Sequence, residues 1–276
     1  MEKIKEGEAL CRALAACLSG ARPEWEGQLR TGVDLGTANI VVAVVDSRGQ
    51  PVAGELQAAE VVRDGLVVDF VGAREIVSAL LKRIEERLGT KLEYGACAVP
   101  PGTRSADCRA TRYVVEAAGL EVLAVVDEPT AAARVLGIRD GAVVDIGGGT
   151  TGISVLQDGE VVYTADEPTG GTHFTLVLAG HFGLPFREAE KLKLDPAQQP
   201  KLYPILRPVM EKIASIVERH VADFEVPHIY LVGGASAFLG LKEIIESRTD
   251  IPAVVPQHPL LVTPLGIALM CPEGGK

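Results

Sequence analysis

Hydrophobic residues along the chain form short Val-rich runs that alternate with longer amphipathic stretches. Three of these runs, Thr31–Leu35, Ile40–Asp46 and Pro51–Leu56, have the composition of strands and are separated by glycine-containing turns. Between residues 72 and 88, apolar side chains recur at every third or fourth position, which predicts a helix. The same criteria predict further elements in alternation: strand Ala96–Val99, helix Thr111–Ala118, strand Val122–Val126 and helix Thr130–Leu136. This succession predicts an α/β protein with mixed sheets flanked by helices.

The first 30 residues have a different pattern from the rest of the chain. Leu10, Leu14 and Leu18 lie four residues apart, which predicts a short amphipathic helix over residues 4–18, followed by a linker that contains proline and glycine. We expect this helix to pack on the body of the protein or to fray. Docking of a partner protein is the alternative.

A pattern of strand, acidic residue, glycine turn and strand occurs twice in the chain. The first copy is Val33–Thr37 and the second is Val144–Thr150, and each is followed by a β-rich stretch and a further turn. The glycine of that further turn lies 15 residues after Asp34 and 14 residues after Asp145. A repeat of this length predicts two lobes built on one plan. Because ligands of α/β folds bind at the carboxyl ends of strands, we expect the two copies to face each other across a central cleft.

The residue types in the two copies predict a phosphate site. Successive glycines permit a turn whose backbone N–H groups approach an anion, and neighbouring threonine hydroxyls add donors. Asp34 and Asp145, at the strand ends, supply carboxylates for a hydrated Mg²⁺ ion. The alternative is that each aspartate only caps its own turn. The predicted phosphate-binding residues are Gly36, Thr37, Gly147, Gly148, Gly149, Thr150 and Thr151.

Composition and charge narrow the possible partners. The chain has 276 residues, of which 47% are hydrophobic and 23% charged, as in ordinary globular proteins. Its net charge of −10 disfavours general nucleic-acid binding, because an acidic surface repels a polyanion. The five cysteines form no Cys-x-x-Cys pair, which indicates reduced thiols. No apolar run reaches the roughly 18 residues that span a bilayer, so we expect a cytoplasmic protein without a membrane partner.

Five segments, taken in order, resemble the superfamily of actin, sugar kinases and DnaK-type chaperones. They are residues 33–37, 127–133, 145–150, 231–235 and 262–268. The resemblance implies a two-lobed, actin-like (ribonuclease H-like) ATPase fold that binds ATP and Mg²⁺ in its cleft. It also implies a division into an N-terminal helix and linker (1–30), lobe I (31–137 with 262–276) and lobe II (138–261).

The same resemblance implies roles for individual residues. Glu128 occupies the position of a residue that polarises the attacking water, although it is also the kind of acid that stabilises a helix N-terminus. Glu190 and Lys193 resemble residues that contact ribose and adenine, and a solvated helix face is the alternative. Further nucleotide-binding candidates are Gly170, Gly171, Gly233, Gly234 and Ala235. Small residues in the two connecting helices predict a close helix crossing that acts as a hinge, namely Ala131, Ala132, Ala133, Gly266 and Ala268.

A narrower resemblance concerns the setting in which the protein works. The segments 61–70, 100–103, 170–173 and 256–258 are similar to EutJ-type proteins of ethanolamine utilisation. This resemblance implies a chaperone-like protein whose partner is an ethanolamine-catabolic enzyme or a component of a protein-shelled microcompartment.

The chain also departs from the chaperone pattern. It has no lysine between Val33 and Leu81, and Ala235–Phe238 replaces the segment that carries an adenine-stacking arginine. In the chaperones, a lysine of lobe I stabilises the phosphate that is transferred, so its loss should slow phosphoryl transfer. We therefore expect a slow ATPase or nucleotide switch, with a non-hydrolysing assembly factor as the alternative. A small-molecule kinase is disfavoured, because it would need a substrate-binding insertion for which the lobes are too short. An iron–sulfur activator ATPase is also disfavoured, because it would need clustered cysteines and the five cysteines are scattered.

Overall fold

Two five-stranded sheets form the framework of the protein. The computed structural model describes residues 2–63 and 65–274, so the predicted outer ends of the N-terminal segment and of lobe I, residues 1 and 276, lie outside the described residues. Strands of the first sheet are β1 Arg30–Leu35, β2 Asn39–Val45, β3 Pro51–Ala58, β6 Tyr94–Val99 and β7 Glu121–Asp127. Strands of the second are β8 Gly141–Ile146, β9 Thr151–Gln157, β10 Glu160–Glu167, β11 Ile229–Val232 and β12 Ala253–Val254. A small ribbon pairs β4 Val62–Arg63 with β5 Leu66–Val67.

The two sheets have the same topology, as the internal repeat predicts. Their strand orders are β3-β2-β1-β6-β7 and β10-β9-β8-β11-β12. In each sheet the first three strands are antiparallel and the last two run parallel to the central strand. Asp34 pairs with Val41 and Asp145 pairs with Gly152, so each aspartate is the penultimate residue of its strand. The predicted α/β class and the duplication of mixed sheets are confirmed. The boundaries proposed for the lobes stay a prediction.

Helices cover the faces of the sheets and join them. They are α1 Glu2–Leu18, α2 Phe70–Leu88, α3 Ser105–Ala117, α4 Glu128–Leu136, α5 Gly171–Phe182, α6 Phe186–Leu194, α7 Gln199–Val221, α8 Leu241–Thr249 and α9 Pro259–Met270. A short 3₁₀ turn covers Gly234–Ala237. Within residues 2–63 and 65–274, no helix is both long enough and apolar enough to cross a membrane.

Helices α4 and α9 cross closely between the two sheets. The crossing requires a residue without a side chain, because a methyl group at Gly266 would lie 1.9 Å from the carbonyl oxygen of Ala131. Apolar residues of both sheets and both helices form one buried cluster around this crossing. The close approach predicted from the small residues is confirmed. Motion about it stays a prediction.

Local signals define the ends of α4 and so fix the position of its first residue, Glu128. The Asp127 carboxylate accepts a hydrogen bond of 2.9 Å from the amide of Thr130, which caps the helix. Pro129 lies in the first turn, where its missing N–H costs nothing. Gly137 ends the helix in the left-handed conformation, with φ of 62°.

The N-terminal helix α1 packs on the body of the protein. Its residues Cys11, Leu14 and Cys17 are buried, and Leu14 contacts Gly54 of β3. At the other end of the interface, the guanidinium of Arg12 donates to the side-chain oxygen of Gln257, just before α9. The packing that the sequence favoured for this helix is confirmed.

Candidate functional site

A cleft of about 400 Å³ lies between the two sheets and receives residues from both. With two exceptions, every predicted catalytic and nucleotide-binding residue lines it: Asp34, Gly36, Thr37, Glu128, Asp145, Gly147, Gly148, Gly149, Thr150, Gly171, Glu190, Lys193, Gly233, Gly234 and Ala235. The exceptions, Thr151 and Gly170, lie behind the second glycine turn. The fold therefore brings together residues that are up to about 200 positions apart in the sequence.

The two glycine turns meet in the cleft with free amide groups. A methyl group at Gly148 would lie 2.9 Å from the Cβ atom of Ala38, so the first turn (residues 36–38) touches the second (residues 147–150). None of the amides of Thr37, Ala38, Gly148, Gly149 and Thr150 donates a hydrogen bond to an acceptor in the described residues. Buried amides normally have acceptors, so a set of free ones around a cleft favours an anionic ligand.

The second turn is held in place through its carbonyl groups. The amide of Gly171 donates to the carbonyl of Gly147 at 2.9 Å, and the amide of Thr172 donates to the carbonyl of Gly148 at 2.7 Å. A methyl group at Gly170 would lie 2.7 Å from the Gly147 oxygen, which explains the glycine at position 170. Because the start of α5 uses the carbonyls, the amides of the turn stay available to the cleft.

Thr151 is placed differently from its neighbour Thr150. Its hydroxyl donates to the carbonyl of Thr169 at 2.6 Å, and the residue is fully buried. Thr151 begins β9, and successive side chains of a strand point to opposite faces. A direct contact of this hydroxyl with a phosphate therefore has no support from the geometry.

Three carboxyl groups lie together at the base of the cleft. Burial and the nearby charge of Asp145 raise the pKa of Asp34 to about 7. Burial raises the pKa of Asp145 to about 6, although a 2.5 Å hydrogen bond from the Thr263 hydroxyl opposes this shift. Burial, followed by the charges of Asp145 and Asp34, raises the pKa of Glu128 well above its ordinary value. Burial is the main cause of these shifts, and repulsion from neighbouring carboxylates adds to it at Asp34 and Glu128, so a nearby cation would oppose the shifts at these two residues.

These carboxylates fit a hydrated Mg²⁺ ion better than a metal enclosed by protein ligands. In the part of the chain that the structure describes, no three His, Cys, Asp or Glu side chains are placed to hold a metal directly. Mg²⁺ usually keeps several waters and binds one or two carboxylates together with phosphate oxygens. Asp34 and Asp145, on either side of the free amides, would hold such an ion, and its charge would offset that of a phosphate.

Glu190 and Lys193 belong to a half-buried polar network between α5 and α6. The Lys193 ammonium lies 2.7 Å from the Glu190 carboxylate and donates to the carbonyl of Gly171 at 3.1 Å and to the Thr175 hydroxyl at 3.0 Å. The single proton of that hydroxyl goes to Glu190 in a short hydrogen bond. Burial lowers the pKa of Lys193, and Glu190 opposes the shift. The solvated-face alternative for these residues is wrong, because the lysine side chain is only 11% exposed.

Aromatic side chains also line the cleft. Phe174 of α5 and Phe238 line it, with their rings edge to face at 5.4 Å. Gly233 has φ of 83°, and a methyl group there would lie 2.3 Å from the Asp145 carboxylate. The glycine therefore allows the turn after β11 to approach the acidic end. An apolar wall beside this turn suits a flat heterocyclic base.

Sequence reasoning missed two residues of this site. Thr263 was predicted only as part of a connecting helix, yet its hydroxyl contacts the Asp145 carboxylate. No sequence motif includes Phe174, which lines the cleft. A hydroxyl residue within the apolar helix α9 was the available signal for Thr263, because a buried hydroxyl requires a partner. An isolated phenylalanine in an apolar helix gave no such signal.

The matched sheets, the shared cleft and the paired glycine turns give this protein the fold of the actin-like ATPases. MreB5 of Spiroplasma citri bound to AMPPNP has a TM-score of 0.71 at 17% identity, with 87% of this chain and 95% of that one covered. Family models agree in part: residues 139–260 match the type IV pilus assembly protein PilM and residues 50–181 match the MreB/Mbl protein.

The chain belongs to the EutJ family of ethanolamine utilization proteins. It is 43% identical over 267 residues to EutJ of Salmonella typhimurium, covering 96% of this chain and 91% of that relative. The crystal structure of EutJ from Carboxydothermus hydrogenoformans has a TM-score of 0.91 at 47% identity and covers 97% of this chain and 99% of that one. The predicted EutJ and actin-like resemblances are confirmed, and the family is related to MreB, PilM and the HscA and DnaK chaperones.

Proposed function

We propose that this protein binds ATP with Mg²⁺ between its two glycine turns. The free amides of both turns, which line one cleft together with three carboxyl groups, carry this proposal. The phosphates would accept hydrogen bonds from these amides, with Thr37 and Thr150 beside the β- and γ-phosphates. The adenosine would lie along Gly233–Ala235, near the apolar wall.

Asp34 and Asp145 would hold the waters around Mg²⁺, and Glu128 would act on the attacking water. Glu128 begins α4 at the base of the cleft, beside Asp34 and Asp145, and a carboxylate in that place suits a general base that works through one water. The bound cation would neutralise charge on the phosphates during transfer. These three residues are our proposed catalytic set.

Hydrolysis at this site should be slow. Among the described residues that line the cleft, the single cationic side chain is Lys193, and it is paired with Glu190. No lysine or arginine of the described cleft therefore remains to stabilise the phosphate in the transition state, and such cations contribute strongly to phosphoryl transfer.

In the cell, we place this protein as a chaperone-like nucleotide switch that acts on an ethanolamine-catabolic enzyme or a microcompartment component. Membership of the EutJ family of ethanolamine utilization proteins supports the ethanolamine setting. A cytoplasmic, microcompartment-associated location is part of the proposal. The crossing of α4 and α9 would be the hinge that couples the bound nucleotide to a partner surface. MreB5 of Spiroplasma citri, which has the same fold, binds AMPPNP and ADP.

Isothermal titration calorimetry with ATP tests the nucleotide proposal. We expect Asp34→Asn and Asp145→Asn to weaken binding in Mg²⁺ by at least about tenfold, which is about 1.4 kcal/mol. In EDTA neither substitution should weaken binding, because the carboxylates then repel the phosphates. Asparagine keeps the acceptor for Thr263, so the Asp145 variant tests charge rather than the loss of a contact.

The matched control is Glu225→Gln, which removes one exposed carboxylate outside the cleft. Its affinity and Mg²⁺ dependence should equal those of the wild type. If calorimetry showed no heat of binding for ATP, ADP or AMPPNP in the presence of Mg²⁺, the proposal would be refuted.

The second candidate is an assembly factor that binds nucleotide without hydrolysing it. The ion pair between Lys193 and Glu190 favours this candidate, because the lysine is then not available to a phosphate. A phosphate-release assay with ethanolamine-pathway proteins present separates the two, because repeated turnover rules out the assembly factor. Turnover that Glu128→Gln abolishes, while ATP affinity stays within about twofold, would support the ATPase.

A further inference from the structure

A second, smaller pocket of about 290 Å³ lies where α1, α4 and the β9–β10 hairpin meet. Its lining comes from the N-terminal helix, the connecting helix and its following loop, the second sheet and the end of α9: Lys3, Thr130, Ala133, Arg134, Gly137, Ile138, Arg139, Leu156, Gly159, Val161 and Met270. Its described lining residues are all different from those of the nucleotide cleft. We call it the hinge pocket.

The hinge pocket is basic in a protein of net charge −10. Lys3, Arg134 and Arg139 line it, and among the described residues no carboxylate does. All three cations are exposed, and none has an ion-pair partner within residues 2–63 and 65–274. Asp140 lies near the hairpin, but its carboxylate accepts the amide of Asp158 at 2.9 Å. Three unpaired cations at one opening favour an acidic ligand.

Helix α1 supplies one of the three cations, Lys3, to the hinge pocket. The side chain of Lys3 packs over Gly137, where an added methyl group would lie 2.8 Å from the Lys3 Cβ atom. The guanidinium of Arg139 donates to the carbonyl of Asp158 at 2.9 Å, which fixes it beside the hairpin turn. Lys3 and Arg139 thus each have a defined place at the pocket, and Arg134 of α4 is the third cation in its lining.

The wall of the hinge pocket is apolar. Ala133, Leu156, Val161 and Met270 contribute to it, and Val161 is 38% exposed. Thr130 also lines the pocket, but its hydroxyl oxygen is buried and has no hydrogen-bond partner in the described part of the chain, so it is not counted as a contact for a ligand. An apolar wall with a basic rim suits a peptide better than a bare inorganic anion, which would leave the apolar surface wet.

We infer that the hinge pocket is a docking site for an acidic segment of a partner protein. An apolar side chain of that segment would lie against Leu156 and Met270, and flanking carboxylates would pair with the three cations. This site is independent of the proposed nucleotide function, because its residues are separate from those of the cleft. It does touch α4, the helix that carries Glu128 into the cleft.

The experiment measures binding of a fluorescein-labelled peptide, Glu-Glu-Leu-Leu-Glu-Glu, by fluorescence anisotropy without nucleotide. We expect Arg134→Glu and Val161→Glu each to weaken binding by about tenfold or more, because each places a carboxylate at the pocket. Arg109→Glu makes the same change of charge on an exposed residue of α3 outside the pocket and should bind like the wild type. Binding should also weaken as salt is raised, since salt screens exposed charges.

Three results would overturn the proposal. One is a wild-type protein that binds no peptide at millimolar concentration. Another is a pair of pocket variants that bind as tightly as Arg109→Glu. The third is equal binding of Lys-Lys-Leu-Leu-Lys-Lys, which would show that apolar contact alone is responsible. Because no nucleotide is present, these outcomes are distinct from a failure of the ATP proposal.

Discussion

The crossing of α4 and α9 offers a sharp test of how the two halves are joined, through the substitution Gly266→Ala. The added methyl carbon would lie 1.9 Å from the carbonyl oxygen of Ala131, 2.4 Å from its carbonyl carbon and 3.0 Å from its Cα atom. All three atoms belong to the backbone, so no side-chain rotation can relieve the contact. Ordinary contact at 3.4 Å would require the helices to separate by about 1.5 Å at this point.

The magnitude follows from two opposing effects. Overpacking a tightly filled core typically costs about 1–3 kcal/mol, and a contact with fixed backbone falls at the upper end. Replacing glycine by alanine inside a helix returns about 1 kcal/mol. We therefore expect Gly266→Ala to lower the free energy of unfolding by about 2 kcal/mol, and the melting temperature by roughly 4–8 °C.

The assay is urea unfolding followed by far-ultraviolet circular dichroism, with Gly180→Ala as the matched control. Gly180 is an exposed residue of α5, and a methyl group there would find no atom within 4 Å. This control should gain about 0.5–1 kcal/mol from helix propensity alone. If Gly266→Ala were as stable as the wild type, or gained stability like the control, the close crossing of the two helices would be refuted.

Two further predictions concern the cleft and the buried thiols. The methyl group of Gly148→Ala would lie 2.9 Å from the Ala38 Cβ atom, so calorimetry should show ATP binding weakened by about fivefold or more. The control Gly147→Ala, whose added methyl group would have its nearest contact at 3.7 Å, should bind ATP normally. Equal ATP affinities of the two variants would contradict contact between the turns. Burial raises the pKa of the Cys11 and Cys97 thiols from 9.0 to about 12. As pH rises above 9 the unfolded state therefore loses these protons first, and at pH 10 each thiol lowers the free energy of unfolding by about 1.4 kcal/mol. Urea midpoints at pH 8 and pH 10 should show a smaller loss for Cys97→Ala than for the wild type, and an identical loss would refute the burial argument.

The duplicated framework was predictable because each copy carries its own local signals. A Val-rich strand that ends in aspartate and glycine predicts both the strand and its turn, and two such copies predict two equivalent sheets. The aspartates then occupy matching positions, as the pairing of Asp34 with Val41 and of Asp145 with Gly152 shows. Repetition turned a weak single motif into a specific fold prediction.

Features that depend on packing between distant segments were not predictable in the same way. The hydrogen bond from Thr263 to Asp145 joins residues 118 positions apart. The hinge pocket depends on Lys3 reaching the end of α4, which no periodicity in α1 indicates. Thr151 shows a limit of reasoning from adjacency: its place next to Thr150 predicts a shared role, which stays a prediction, while strand alternation directs its hydroxyl to the carbonyl of Thr169.

The cleft combines two features that oppose each other unless a third component is present. Its free amides favour an anion, whereas its carboxylates repel one and raise one another's pKa values. A polyphosphate alone would meet that repulsion, and a divalent cation alone would find too few protein ligands among the residues that the structure describes. Together they neutralise both sets of groups, so we expect nucleotide and cation to bind cooperatively. By thermodynamic linkage, Mg²⁺ must then raise the affinity for ATP by the same factor by which ATP raises the affinity for Mg²⁺. Removing either aspartate should lower both factors equally, because each carboxylate contributes to the repulsion and to the cation site at once.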